Sequence, residues 1–139
     1  MRIFSGVVFV TLIVLLAGPA DAQTAAFTAK EPALLTTAGQ SADLNMAKVI
    51  LERSKVALKV APLAGPDDLK EAGSLIIVIG GSTKGLGAAG INAEKEMARV
   101  EQLIARAAAQ KVPVIGMHIG GKARRGELSD GFVELVAPK

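Results

Sequence analysis

Leu75-Ile76-Ile77-Val78-Ile79 is apolar at every position, and this run constrains the fold more than any other stretch of the chain. Successive side chains of a strand point to opposite faces, so a strand with one wet face alternates apolar and polar residues. A strand that is apolar throughout has both faces covered, the condition of a central strand in a parallel sheet. Parallel strands need long crossovers, usually helices, and the rest of the chain has the pattern to supply them.

Ala33 to Ala38 reads as a first strand. Leu44, Ala47, Ile50 and Leu51 recur at helical spacing, so Ala42 to Arg53 reads as an amphipathic helix, capped by Ser41 and with Asp43 in its first turn. Val56 to Ala61 is a second strand, 62–66 a loop, and 66–71 a short helix opened by Pro66. After the 75–79 strand comes a long glycine-rich loop, Gly80 to Ile91. Asn92 then caps a helix reaching Gln110, with Met97, Val100, Leu103, Ile104 and Ala107 on one face. Val112 to Ile119 is a fourth strand, and Gly120 to Leu128 a second glycine-rich loop, this one basic. Ser129 caps a last helix that carries Phe132, Leu135 and Val136. Four strand–helix units in a row predict a single three-layer α/β domain with a parallel sheet, helices on both faces and right-handed crossovers. The expected strand order is 2-1-3-4, as in flavodoxin-like folds, within the broader flavodoxin/Rossmann-like class. A further strand would normally follow the last helix of such a fold. The expectation is therefore a sheet that ends at four strands, or one truncated at its C-terminus.

The start of the chain reads differently. Arg2 precedes an apolar run from Val7 to Ala17, Gly18-Pro19 break it, and Ala20-Asp21-Ala22 follows. A positive start, a short apolar middle and a small-x-small ending are the parts of a secretory signal. The run falls short of the roughly 20 residues a spanning helix takes. Residues 1–22 are thus expected to be a signal peptide cut after Ala22, with residues 23–32 a flexible lead-in and 33–139 the domain. This places the mature protein in the periplasm or outside the cell, in contact with a membrane only through the signal before cleavage.

Composition closes off several functions. The chain has no Cys, which removes disulfides, thiol catalysis and cysteine metal sites, and its one His cannot build a multi-histidine site. No metal and no cofactor is expected. Tyr and Trp are absent and Phe is scarce, so the stacking platforms of single-strand nucleic-acid binders are missing. The formal net charge of +3 is spread along the chain, except near Lys122, Arg124 and Arg125.

Ligands of open α/β sheets bind beyond the carboxyl ends of the strands, where strand order reverses. With order 2-1-3-4 that point lies between the first and third strands. The segments Ala38 to Ser41, Gly80 to Asn92 and Gly120 to Asp130 meet there, each leading into a helix N-terminus, where backbone N–H groups favour an anion. The candidate ligand-binding residues are Gln40, Ser41, Gly80, Gly81, Ser82, Lys84, Gly85, Gly87, His118, Arg124 and Arg125. Arginine suits a carboxylate or phosphate because it offers two parallel hydrogen bonds. Glu127 and Asp130 stand close enough in sequence to neutralise the arginines instead. Gly85-Leu86-Gly87-Ala88-Ala89-Gly90 matches G-x-G-x-x-G, but it follows the third strand at a distance and lacks the acidic residue about 20 positions on that a dinucleotide site needs. Lys84-Gly85 reverses the order of a P-loop. Ser82, His118 and Asp130 fall at the same sheet edge and offer the residue types of a hydrolytic triad. A lone histidine in an apolar strand is more often a packed, hydrogen-bonded core residue.

Three stretches together resemble a known family. They are Thr36 to Asp43 (TTAGQSAD), Ile79 to Ile91 (IGGSTKGLGAAGI) and Ile115 to Asp130 (IGMHIGGKARRGELSD). They are similar to a family of exported bacterial α/β proteins of unknown function, and the likeness covers nearly all of the chain after residue 22. The resemblance implies no established activity. It implies that members continue past Pro138-Lys139 with another strand and helix.

The reading that follows is an exported domain that binds a small anion, a carboxylate or a phosphorylated metabolite, with its glycine-rich loops. Two alternatives stand beside it: a hydrolase using Ser82 and His118, and an interaction module for an exported or membrane-transporter partner. A sheet left open at its fourth strand would favour self-association.

Overall fold

The computed structural model describes residues 27–137. The expected signal peptide, its cleavage site and residues 138–139 lie outside that span. Four strands form one parallel sheet: β1 (Ala33–Ala38), β2 (Leu58–Val60), β3 (Ser74–Ile79) and β4 (Val114–His118). Their order is β2-β1-β3-β4, the order expected from flavodoxin-like folds. β1 runs beside β3 from Ala33 opposite Ser74 to Ala38 opposite Ile79. β4 pairs with β3 from Val114 opposite Leu75 to His118 opposite Ile79. β4 starts two residues later than the sequence suggests, because Pro113 has no N–H to give the ladder; its carbonyl accepts from Leu75 N–H at 2.9 Å.

Both faces of the two central strands are covered, which explains their unbroken apolar character. On one face Leu34, Leu75 and Ile77 pack with Val100, Leu103 and Ala107 of α3 (Ala93–Ala109) and Phe132 of α4 (Glu127–Val136). On the other, Leu35, Ile76 and Val78 pack with Leu44 and Ala47 of α1 (Asp43–Arg53). The chain therefore leaves β1 toward one face and β3 toward the other, and a crevice opens between the two exits. A short 3-10 helix, Pro66–Glu71, buries Leu69 against the α3 side.

Two loops read from the sequence are partly helical. Residues 80–91 contain α2 (Thr83–Ala88), which buries Leu86 and is capped by the Ser82 hydroxyl accepting from Gly85 N–H. Residues 120–128 contain a 3-10 turn, Gly121–Arg124, and α4 already begins at Glu127. Ser129 is therefore not the cap of the last helix. Its hydroxyl turns away from the helix and accepts from Gly81 N–H at 3.0 Å, tying α4 to the end of β3. Among the described residues no helix is long and apolar enough to cross a membrane.

Candidate functional site

At the switch point lies a cleft of about 440 Å³. The start of α1 forms one wall with Ser41, Ala42, Leu44 and Asn45, and α2 forms the other with Ser82, Lys84, Gly85 and Ala88. Thr37 near the end of β1, Gln40 just beyond it and Pro62 complete the lining. No acidic side chain is part of it.

The walls are held by a buried ion pair that the sequence reading did not single out. Glu96 of α3 is fully buried. Its Oε1 accepts from Gly39 N–H and from Gln40 Nε2, both at 3.0 Å, and Arg99 donates to both carboxylate oxygens at 2.8 Å. Arg99 also donates to the carbonyls of Ala64 and Thr37. Burial pushes the Glu96 carboxyl up, but the hydrogen bonds from Arg99, Gly39 and Gln40 outweigh it and hold the group below the usual glutamate range. One network therefore fixes the end of β1, the segment after β2 and the first turn of α3. The signal available in the sequence was an i, i+3 Glu–Arg pair, which looks like any solvated helix pair.

Gln40 sits in the left-handed region at φ 56°, after Gly39 at φ 101°. A Cβ on Gly39 would fall 2.4 Å from the Gly80 carbonyl oxygen, so glycine alone lets β1 and β3 exit this close together. Gly85 is required for the same reason: a Cβ there would lie 1.9 Å from the Gln40 carbonyl oxygen.

The glycines at the ends of β1 and β3 and in the first turn of α2 do not offer free amides. Gly39 N–H goes to Glu96, Gly80 N–H to the Ala38 carbonyl, Gly81 N–H to Ser129 and Ser82 N–H to the Gly39 carbonyl. Asp43 N–H goes to the Ser41 hydroxyl at 3.2 Å and Gly85 N–H to the Ser82 hydroxyl at 3.0 Å. What faces the cleft is a set of side chains. Thr37 is buried, and its hydroxyl has no hydrogen-bond partner among the described residues. Ser41 and Ser82 accept through their oxygens and keep their own protons to give. Lys84 makes no ion pair with any described residue.

Of the residues named from the sequence, Gln40, Ser41, Ser82, Lys84 and Gly85 come together in this cleft. The others stand elsewhere. Gly80 packs against Ser41 and Asp43, Gly81 against Leu128 and Ser129, and Gly87 faces open space. Arg124 pairs with Asp43 at 3.5 Å, and Arg125 pairs with Asp130. The hydrogen bond from Arg125 holds the Asp130 carboxyl below its usual range. His118 sets Nδ1 3.0 Å from the Ile79 carbonyl and Nε2 3.3 Å from that of Gly121. Ser82, His118 and Asp130 thus each have another partner, and no hydrogen bond among the described residues links them as a triad. No group of three His, Cys, Asp or Glu among the described residues is placed to hold a metal.

Comparison with known proteins adds a family and no activity. The model of a family described as a domain of unknown function, DUF6305, matches residues 30–139. No curated protein and no solved structure matches the chain.

Proposed function

We infer, for a chain that belongs to the DUF6305 family, that the cleft between α1 and α2 binds a small organic anion. The observation that carries this reading is the Thr37 hydroxyl, buried beside the cleft without a partner. An unsatisfied buried polar group costs about 1–3 kcal/mol, and a bound acceptor removes that cost. Lys84 supplies the charge, since Arg124 and Arg125 are engaged by Asp43 and Asp130. Side chains, not loop amides, make the contacts.

The test is a thermal-shift series with acetate, propionate, citrate and inorganic phosphate. A one-site ligand at a hundredfold excess over its Kd raises stability by about 2.7 kcal/mol. Lys84→Ala is expected to lose the shift and Arg124→Ala to keep it. An equal shift in Lys84→Ala would move the anion out of this cleft.

A further inference from the structure

We propose that the ligand of this cleft is a hydroxylated monocarboxylate, such as a sugar acid, and not a phosphorylated metabolite or an amino acid. This rests on the anion reading above and narrows it.

Gln40 sets the first requirement on the ligand. Its Nε2 lies 3.2 Å from the Pro62 carbonyl and 3.0 Å from Glu96 Oε1. Both neighbours only accept, so the amide is oriented without ambiguity and both of its N–H bonds are engaged. No hydrogen bond among the described residues uses Gln40 Oε1, so this residue of the lining keeps an acceptor for a donor from the ligand. The Thr37, Ser41 and Ser82 hydroxyls and the Lys84 ammonium can all donate as well. A ligand that satisfies both kinds of group carries a carboxylate and a hydroxyl. An amino acid would also bring a donor, but its ammonium finds no carboxylate in the lining. A phosphate ester carries close to two charges at neutral pH and is best met by an arginine fork or a row of backbone amides. Both arginines nearby are neutralised, and the glycine amides at the ends of β1 and β3 are already bonded. One unpaired cation matches one negative charge. The apolar part of the lining, Leu44, Ala88 and Pro62, suits the carbon backbone of such a molecule.

Calorimetric titration of the purified protein with four probes decides the matter: D-gluconate, propionate, glucose 6-phosphate and the neutral polyol D-glucitol. D-Gluconate is expected to bind on the order of tenfold more tightly than propionate, the effect of added hydrogen bonds, and more tightly than either of the others. Gln40→Met is expected to erase the advantage of gluconate over propionate while propionate still binds, which separates loss of a contact from loss of fold. Lys84→Met is expected to bring gluconate down to the affinity of D-glucitol. Glucose 6-phosphate binding as well as gluconate, or propionate matching it in the unaltered protein, would overturn this proposal and leave the anion reading standing. Failure of every anion to bind would overturn both.

Discussion

At the scale of single residues, the two glycines of α2 look identical in the sequence and are opposite in the fold. A Cβ on Gly85 would run into the Gln40 carbonyl, whereas one on Gly87 would meet nothing within 4 Å. Gly85→Ala is therefore expected to destabilise the protein by about 1–3 kcal/mol, the usual range for an overfilled site. Gly87→Ala should stabilise it by up to about 1 kcal/mol through helix propensity. Urea unfolding of the two variants reads both signs, and equal effects would show that the loops do not approach as described. The same contrast explains why G-x-G-x-x-G misleads here: in this chain its first glycine serves a close approach to the Gln40 backbone, not a pyrophosphate. The arginines teach a similar lesson. Asp130 stands five residues after Arg125, and that pairing was an open reading of the sequence. Asp43 lies far from Arg124 along the chain, and only the parallel sheet brings the β4 exit back over the start of α1.

At the scale of elements, those with strong periodicity were legible, and α2, which lacks it, was not. α1 and α3 declare themselves by apolar spacing, and Asn92 caps α3 as expected by accepting from Lys95 N–H at 2.9 Å. α2 is six residues long and contains two glycines, each costing about 0.5–1 kcal/mol in a helix interior relative to alanine, so local propensity reads it as loop. It forms because Leu86 is buried and Ser82 caps it. Ser82→Ala and Asn92→Ala should each cost about 1 kcal/mol, with hydrogen exchange rising first in the capped helix concerned. Ser129→Ala should cost about 1–3 kcal/mol for a different reason, because it strands the Gly81 N–H at the end of β3. A loss confined to α4 would show that Ser129 acts as the helix cap after all.

At the scale of the whole molecule, the parallel sheet followed from alternation and its strand order from likeness to flavodoxin-like folds, and the site followed from neither. Five of the candidate residues line the cleft because every strand exit falls on the same sheet edge; the lining residue Thr37 and the Glu96–Arg99 network behind it answer to contacts between segments distant in sequence. Three carboxyls of the fold sit below their usual range: Glu96, where hydrogen bonds overcome burial, Asp68, held chiefly by the Gly65 N–H, and Asp130, held by Arg125. A carboxyl lowered by folding contributes stability above its unfolded pKa and loses it as pH falls through the folded value. Unfolding free energy is thus expected to fall from about pH 5 downward, most steeply for the buried Glu96. Glu96→Gln should flatten that acid limb. Near neutral pH it should also cost about 3–5 kcal/mol, because Arg99 keeps its charge without a counter-ion. A double variant, Glu96→Met with Arg99→Met, should recover part of that loss. An unchanged acid limb in Glu96→Gln would assign the pH dependence to the exposed pairs.

The Arg99 network also has a consequence in time. Its hydrogen bonds join residues 35, 57 and 62 positions apart, so the complete network can form only when β1, the turn after β2 and α3 have met. Contacts with such long loop closures are expected to lock after the folding transition state. Removing the pair should therefore leave the refolding rate nearly unchanged and accelerate unfolding, so that the network acts as a latch on the finished molecule. A chevron plot of the double variant would show it: a raised unfolding arm beside an unmoved folding arm.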